Sequence, residues 1–213
     1  MLIFQFTLIF IKKSYIFVQN TIIMIHQEFI NVLKRLAPFT EKDLSAASRF
    51  FNVEEIKKNE YFLKEDQVTG KIGFVVSGLF RCFHNIRNKE ITTEFLFPGS
   101  IAAGMLSFLS NEPQRENIIA LENTLLTTIT REDLFKLYAR SWKWQQMGRI
   151  LAEYNYMRIE KRSICLQTLN ARERLDKLRV EMPEIFIKRR VPLQYIASYL
   201  GMSAETYSRI RAK

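Results

Sequence analysis

The stretch Val191-Pro192-Leu193-Gln194-Tyr195-Ile196-Ala197-Ser198-Tyr199-Leu200-Gly201-Met202-Ser203-Ala204-Glu205-Thr206-Tyr207-Ser208-Arg209-Ile210-Arg211 decides the reading of this chain. Pro192 suits the first turn of a helix, where its missing N–H costs nothing. Ile196 and Leu200 lie four apart and share one buried face. Ala197 is small where a second helix has to cross closely. Gly201 follows and can take the positive φ of a tight turn. Ser203 is a good N-cap, and Glu205 complements the positive end of the helix it opens. Tyr207 and Ile210 then face back onto the first helix. Together these offsets spell a helix-turn-helix.

The outward face of the second helix holds Ala204, Glu205, Ser208 and Arg209. An arginine can donate to O6 and N7 of guanine together, and a glutamate can accept from the amino group of cytosine. The hydroxyls of Ser203 and Thr206 stand where a phosphate would pass. The competing reading is a helical hairpin with a solvated charged face.

Composition agrees with a polyanion partner. Among 213 residues, 32 Lys/Arg oppose 22 Asp/Glu, a net charge of +10. Residues 150–213 hold 13 of those bases and 7 of the acids, so over half of the excess sits in under a third of the chain. Such a balance draws nucleic acid and other polyanions. With 47% apolar residues a packed core is available. Two cysteines, Cys82 and Cys165, and two histidines, His26 and His84, rule out a four-cysteine metal site and a clustered-histidine metalloenzyme. The cysteine count fits a reducing cytoplasm. No cofactor is expected. No paired carboxylates or phosphate-cradling glycine loop stand out, so no enzyme activity is expected.

Upstream, residues 25–37 read as a helix with Ile25, Phe29, Val32, Leu33 and Leu36 on one face, ended by Pro38. Thr40-Glu41-Lys42-Asp43 is a capping-box pattern opening a second. From Phe51 to Ile129 short apolar runs alternate with turn residues, among them Asn59, Gly78, Asn88, Pro98-Gly99 and Asn111. That texture predicts strands in a sandwich or barrel. Thr130-Arg131-Glu132-Asp133 opens a long segment without proline. In it Met147, Ile150, Leu151, Tyr154 and Met157 form an apolar stripe, which covers either a second copy of the chain or its own barrel, and a homodimer paired along it is expected. Asn170 with Glu173 caps a further helix, stopped by Pro183.

The first 23 residues are rich in Phe and Ile but interrupted by Lys12 and Lys13. Their apolar runs fall short of the ~20 residues of a spanning helix and lack a signal peptide's layout. They read as a non-native or disordered extension, with Met24 as an alternative start and a membrane anchor as the other reading. No membrane partner is expected.

The run Val191–Arg211 resembles the DNA-binding motif of the Crp/Fnr regulators, and the resemblance extends over about residues 25–213. It implies an α+β chain in four parts. Residues 1–23 are the extension. Residues 24–130 form a cyclic-nucleotide-binding-like β-roll (a double-stranded β-helix) with flanking helices. Residues 131–168 hold a long dimerisation helix, and 169–213 the winged helix-turn-helix. The chain ends soon after the second helix, so the wing is expected short or missing. By motif position Glu205 and Arg209 are the base readers, with Ala204 in place of an arginine, and Gln194, Ser203 and Thr206 contact phosphate. The resemblance further implies a homodimer on double-stranded DNA in the cytoplasm, with RNA polymerase as a partner.

An unidentified small-molecule effector is also implied, with Gly104, Arg115 and Asn117 as its candidate pocket. In the nucleotide-binding members an acid holds the ribose and an arginine the phosphate. Here the segments read Ser100-Ile101-Ala102-Ala103-Gly104-Met105-Leu106 and Gln114-Arg115-Glu116-Asn117. The acid is missing and Glu116 would repel a phosphate, so the roll is expected without the nucleotide. Cys82-Phe83-His84 places two haem-ligand types on one strand face, but a lone pair of this kind is a weak signal, and the favoured reading is a buried cysteine beside a surface histidine. The functional alternative is a small-molecule-binding roll whose helical tail mediates protein interaction.

Overall fold

The computed structural model describes residues 17–18, 21–22, 27–186 and 191–211. The expected extension over 1–23 and the helix residue Ile25 thus lie outside the described residues, apart from a short antiparallel pair, β1 (Phe17–Val18) and β2 (Thr21–Ile22).

Two helices open the body, α1 (Gln27–Leu36) and α2 (Glu41–Ala47). Thr40 caps α2 in a complete capping box with Asp43. Eight strands follow: β3 (Phe51–Ile56), β4 (Tyr61–Leu63), β5 (Lys71–Ser77), β6 (Phe80–Ile86), β7 (Lys89–Leu96), β8 (Ile101–Ala102), β9 (Glu116–Ala120) and β10 (Thr124–Thr130). A short helix α3 (Met105–Ser110) lies between β8 and β9. The strands form two four-stranded antiparallel sheets, β3-β10-β5-β8 and β4-β9-β6-β7. The turn residues do what their types permit. Gly78 and Gly99 take φ of 99° and 95°, and Asn59, Asn88 and Asn111 sit at φ of 70°, 61° and 59°.

Strand alternation divides the side chains among three cores. Leu63, Val75, Phe80, Cys82, Leu96, Ile118 and Leu126 fill the roll between the sheets. Phe51, Phe74 and Ile129 point the other way and are covered by Phe29, Leu33, Phe39, Leu44, Trp144 and Met147 from the helices. A cavity of about 50 Å³ lies in this layer, lined among others by Phe29, Leu33, Phe74, Trp144 and Met147. The third core joins Leu79 and Phe95 of the roll to Leu175, Leu178, Ile185, Ile196, Leu200 and Tyr207.

The long segment after β10 is two helices, α4 (Arg131–Arg140) and α5 (Trp142–Thr168). Ser141 breaks it, with φ −154° and ψ 128°, and its hydroxyl accepts from the Lys143 amide. The break lets α4 fold back on α5. Gly148 marks the crossing, because any Cβ there would collide with the ring of Tyr138. The chain continues with α6 (Ala171–Glu181), capped by Asn170 and Glu173, then α7 (Leu193–Tyr199) and α8 (Ala204–Arg211).

The apolar stripe of α5 divides between the two readings it left open. Met147 is 5% exposed within the helical core, and Ile150 and Leu151 pack against that core. Only Tyr154 and Met157 remain exposed, and Tyr156, Ile159 and Ile164 are more exposed than either. Met147 therefore covers the chain's own roll, and Ile150 and Leu151 do so in part. The physical reason is the position of α1 and α4, which seat the beginning of α5 on the sheet. No helix among the described residues is long and apolar enough to cross a membrane.

Candidate nucleic-acid interface

The pair α7–α8 is built as its sequence requires. Pro192 lies one residue before α7, as its N-cap, with the carbonyl accepting from Tyr195 and Ile196. Gly201 takes φ 65°, and the Met202 amide reaches back to the Ala197 carbonyl. The Ser203 hydroxyl accepts from the Thr206 amide at 3.2 Å, which caps α8. Tyr207 is fully buried and Ile210 packs beside it. Arg172 of α6 donates to the Ile210 carbonyl at 2.9 Å, satisfying one of the open acceptors at the end of α8.

This packing turns the other face of α8 outward. Ala204, Glu205, Ser208 and Arg209 are all exposed, as are Gln194 and Ser203, with Thr206 half-buried beside them. Hydrogen bonds from Ser203 and from its own amide hold the Glu205 carboxyl below its ordinary pKa, so it stays an ionised acceptor. One helix thus presents an acceptor and a long cationic donor four residues apart on its exposed face.

The candidate effector residues differ in their surroundings. Gly104 precedes α3, and a Cβ there would meet Leu63 at 2.5 Å and Thr69 Oγ1 at 2.7 Å. Arg115 is exposed. Asn117 is buried, and its Oδ1 accepts from the Glu65 amide, which pins the loop before β5. The residue near Gly104 that carries a charge is Glu116, whose carboxyl burial pushes up to about 7. The Cys82 thiol lies in the roll core, where burial raises its pKa further, while His84 is half-buried.

The sequence did not single out Arg158. From α5 it forms a two-point ion pair with Glu94 of β7 and donates to Asn155. Nor did it mark Arg81, Thr92 and Ser198, which join the roll to α7. Only the odd placement of an arginine between Phe80 and Cys82 in an apolar strand signalled a buried charge.

Comparison with known proteins places this geometry. Residues 53–141 match the family model of the cyclic nucleotide-binding domain. FixK2 from Bradyrhizobium japonicum is similar over 76% of this chain and 83% of its own, at 20% identity and a TM-score of 0.67. A structure from Eubacterium rectale, described as a transcriptional regulator of the Crp/Fnr family, is similar over 81% and 82%, at 18% identity and a TM-score of 0.62. The catabolite activator protein of Thermus thermophilus covers 82% and 83%, at 21% identity and a TM-score of 0.52. At these identities the likeness is one of fold. No curated protein sequence matches the chain.

Proposed function

We propose that this chain, which carries the fold of the Crp/Fnr regulators, is a sequence-specific DNA-binding transcription regulator acting as a homodimer. The observation that carries the reading is the division of α8 into a buried face, Tyr207 and Ile210, and an open face, Ala204, Glu205, Ser208 and Arg209. On this reading Glu205 and Arg209 enter the major groove and read base edges, with Ala204 and Ser208 alongside. Gln194, Ser203 and Thr206 hold the backbone.

In this proposal residues 24–130 are the sensor roll, 131–168 the helical connection and 169–213 the DNA-binding part. The second copy packs along the open end of α5, where Tyr156, Ile159 and Ile164 leave apolar surface exposed. A two-fold pair of α8 helices then meets two half-sites about one DNA turn apart. On this reading the effector is not a cyclic nucleotide, since residues 100–106 carry no acid for a ribose and an acid, Glu116, directly follows Arg115. RNA polymerase is the protein partner that the resemblance implies, and the cytoplasm the compartment.

The test is selection of bound sites from random duplex DNA, followed by affinity across a salt series. The expected outcome is a two-fold-symmetric consensus and an affinity that falls steeply with salt, because phosphate contacts release counterions. No enrichment of any sequence, with no salt-dependent binding, would instead favour the roll as a small-molecule module and the helical tail as a protein-binding surface.

A further inference from the structure

Strand β7 lies at the outer edge of its sheet, so half of its backbone groups have no strand to pair with. Helix α7 supplies partners. Ser198 Oγ accepts from the Thr92 amide at 2.9 Å and donates to the Glu90 carbonyl at 3.2 Å. One hydroxyl on the first helix of the helix-turn-helix thereby acts as a short stretch of neighbouring strand.

Beside this contact the outer face of the sheet holds a buried cation. Arg81 is 2% exposed. Its Nε donates to Thr92 Oγ1 at 2.9 Å, and its Nη1 pairs with Glu90 at 2.5 Å. The guanidinium lies 4.4 Å from the ring centroid of Phe83 and 3.6 Å from that of Tyr195, on α7. A desolvated guanidinium over an aromatic face is attracted more strongly than an exposed one, and the planar group satisfies both rings and both acceptors. Further along α7, Tyr199 packs on Phe95 at 5.5 Å, and its carbonyl accepts from Arg162 of α5 at 2.8 Å. The reading face of α8 stays exposed throughout.

We propose that Arg81 and Ser198 are positioning residues for DNA binding: through the edge of β7 they hold α7, and with it the recognition helix α8, at one orientation on the roll of the same chain. The purpose rests on the DNA-binding reading above, whereas the contact itself does not. A helix-turn-helix on a free hinge tolerates many half-site separations. One clamped to its roll accepts the separation that the dimer geometry dictates. The turn Leu169–Asn170, both extended, is the point about which an unclamped unit would swing.

The test uses the full-length protein and two readouts. The first is hydrogen exchange at the Thr92 amide, which donates to Ser198. It is expected to be protected in the wild type and to exchange at least about tenfold faster in Ser198→Ala, while the amides of β6 keep their rates. Ser198→Thr keeps the hydroxyl and is expected to restore protection. The second readout is half-site spacing in selected DNA. One spacing is expected for the wild type, and several for Ser198→Ala and Arg81→Met, with the base preference inside each half-site unchanged. Should Arg81→Met fail to fold, Ser198→Ala alone carries the test, because it alters only an α7 side chain. An unprotected Thr92 amide in the wild type overturns the clamp. Lost protection with an unchanged single spacing overturns the positioning role. A protected amide with no sequence enrichment for any variant sinks the DNA-binding reading, and with it the role, but leaves the contact standing.

Discussion

Arg158, in the middle of α5, and Glu94, on strand β7, form a two-point ion pair across 64 residues of chain. It links the connecting helix to the strand that also carries the α7 contact. Glu94 is 22% exposed and Arg158 35%, so the pair is only partly screened by water. Removing one partner leaves the other half-desolvated. We expect Arg158→Met alone to cost ~1–3 kcal/mol of stability. The double variant Arg158→Met with Glu94→Gln should recover part of that loss. Denaturant unfolding of the four proteins in a double-mutant cycle measures the coupling, expected at ~1–2 kcal/mol. Strict additivity would mean that the two groups are independent.

Glu116 gives a pH dependence with a definite sign. Burial raises its carboxyl from 4.5 to about 7, so the folded chain binds this proton more tightly than the unfolded chain. Well below pH 4.5 both states are protonated and the group contributes nothing. As pH rises through 4.5 to 7 it destabilises the fold increasingly, on the order of 3 kcal/mol once ionised in both states. Glu116→Gln should therefore be the more stable protein at pH 8, and equal to the wild type only at about pH 3.5 and below. Denaturant midpoints of both across that range check it. A wild-type advantage at pH 8 would show that the carboxylate has a stabilising partner.

Two substitutions on α5 should behave differently. Tyr156→Glu and Ile159→Glu alter exposed apolar positions and should yield folded monomers in sedimentation. Met147→Glu places a charge in the helical core and should unfold the chain or lower its melting temperature steeply. A wild type that is monomeric at micromolar concentration would remove the dimer from the proposal.

On α8, Arg209→Ala should relax discrimination at one base pair per half-site, at ~1–3 kcal/mol. Thr206→Ala and Gln194→Ala should weaken all sequences by a similar factor. Binding to the selected site and its single-base variants at one salt concentration separates these. Uniform weakening by Arg209→Ala would make it a phosphate contact.

Calorimetric titration with cyclic AMP and cyclic GMP should give no heat of specific binding. Binding at micromolar affinity or better would show that Glu116 is compensated and that the roll accommodates a phosphate after all.

The local events of this fold were legible in the chain because local chemistry decides them. Gly201 turns at positive φ because a side chain there is penalised. Thr40 and Asn170 start helices because their oxygens accept from amides two or three residues on. The open face of α8 followed from the spacing of Tyr207 and Ile210, which fixes what remains outside. The strand texture of 51–129 predicted a sandwich or barrel because apolar runs between turn residues have few other ways to be buried, and the roll itself was implied by the resemblance. Periodicity did not say what would cover each face. The α5 stripe left its own roll and a second copy open, and the packing of α1 and α4 buries Met147 and covers part of Ile150 and Leu151. Ser141 breaks a segment whose local pattern is helical, because folding α4 back onto the sheet buries Leu134 and Leu137. Arg81, Thr92 and Ser198 meet across about a hundred residues. The sequence by itself determined the turn between α7 and α8 and which face of α8 stays open, since the cap at Ser203, the positive φ of Gly201 and the spacing of Tyr207 and Ile210 are local. Only the tertiary structure decided where that motif sits on the roll, since that depends on an edge strand and a buried cation that no local pattern connects to it.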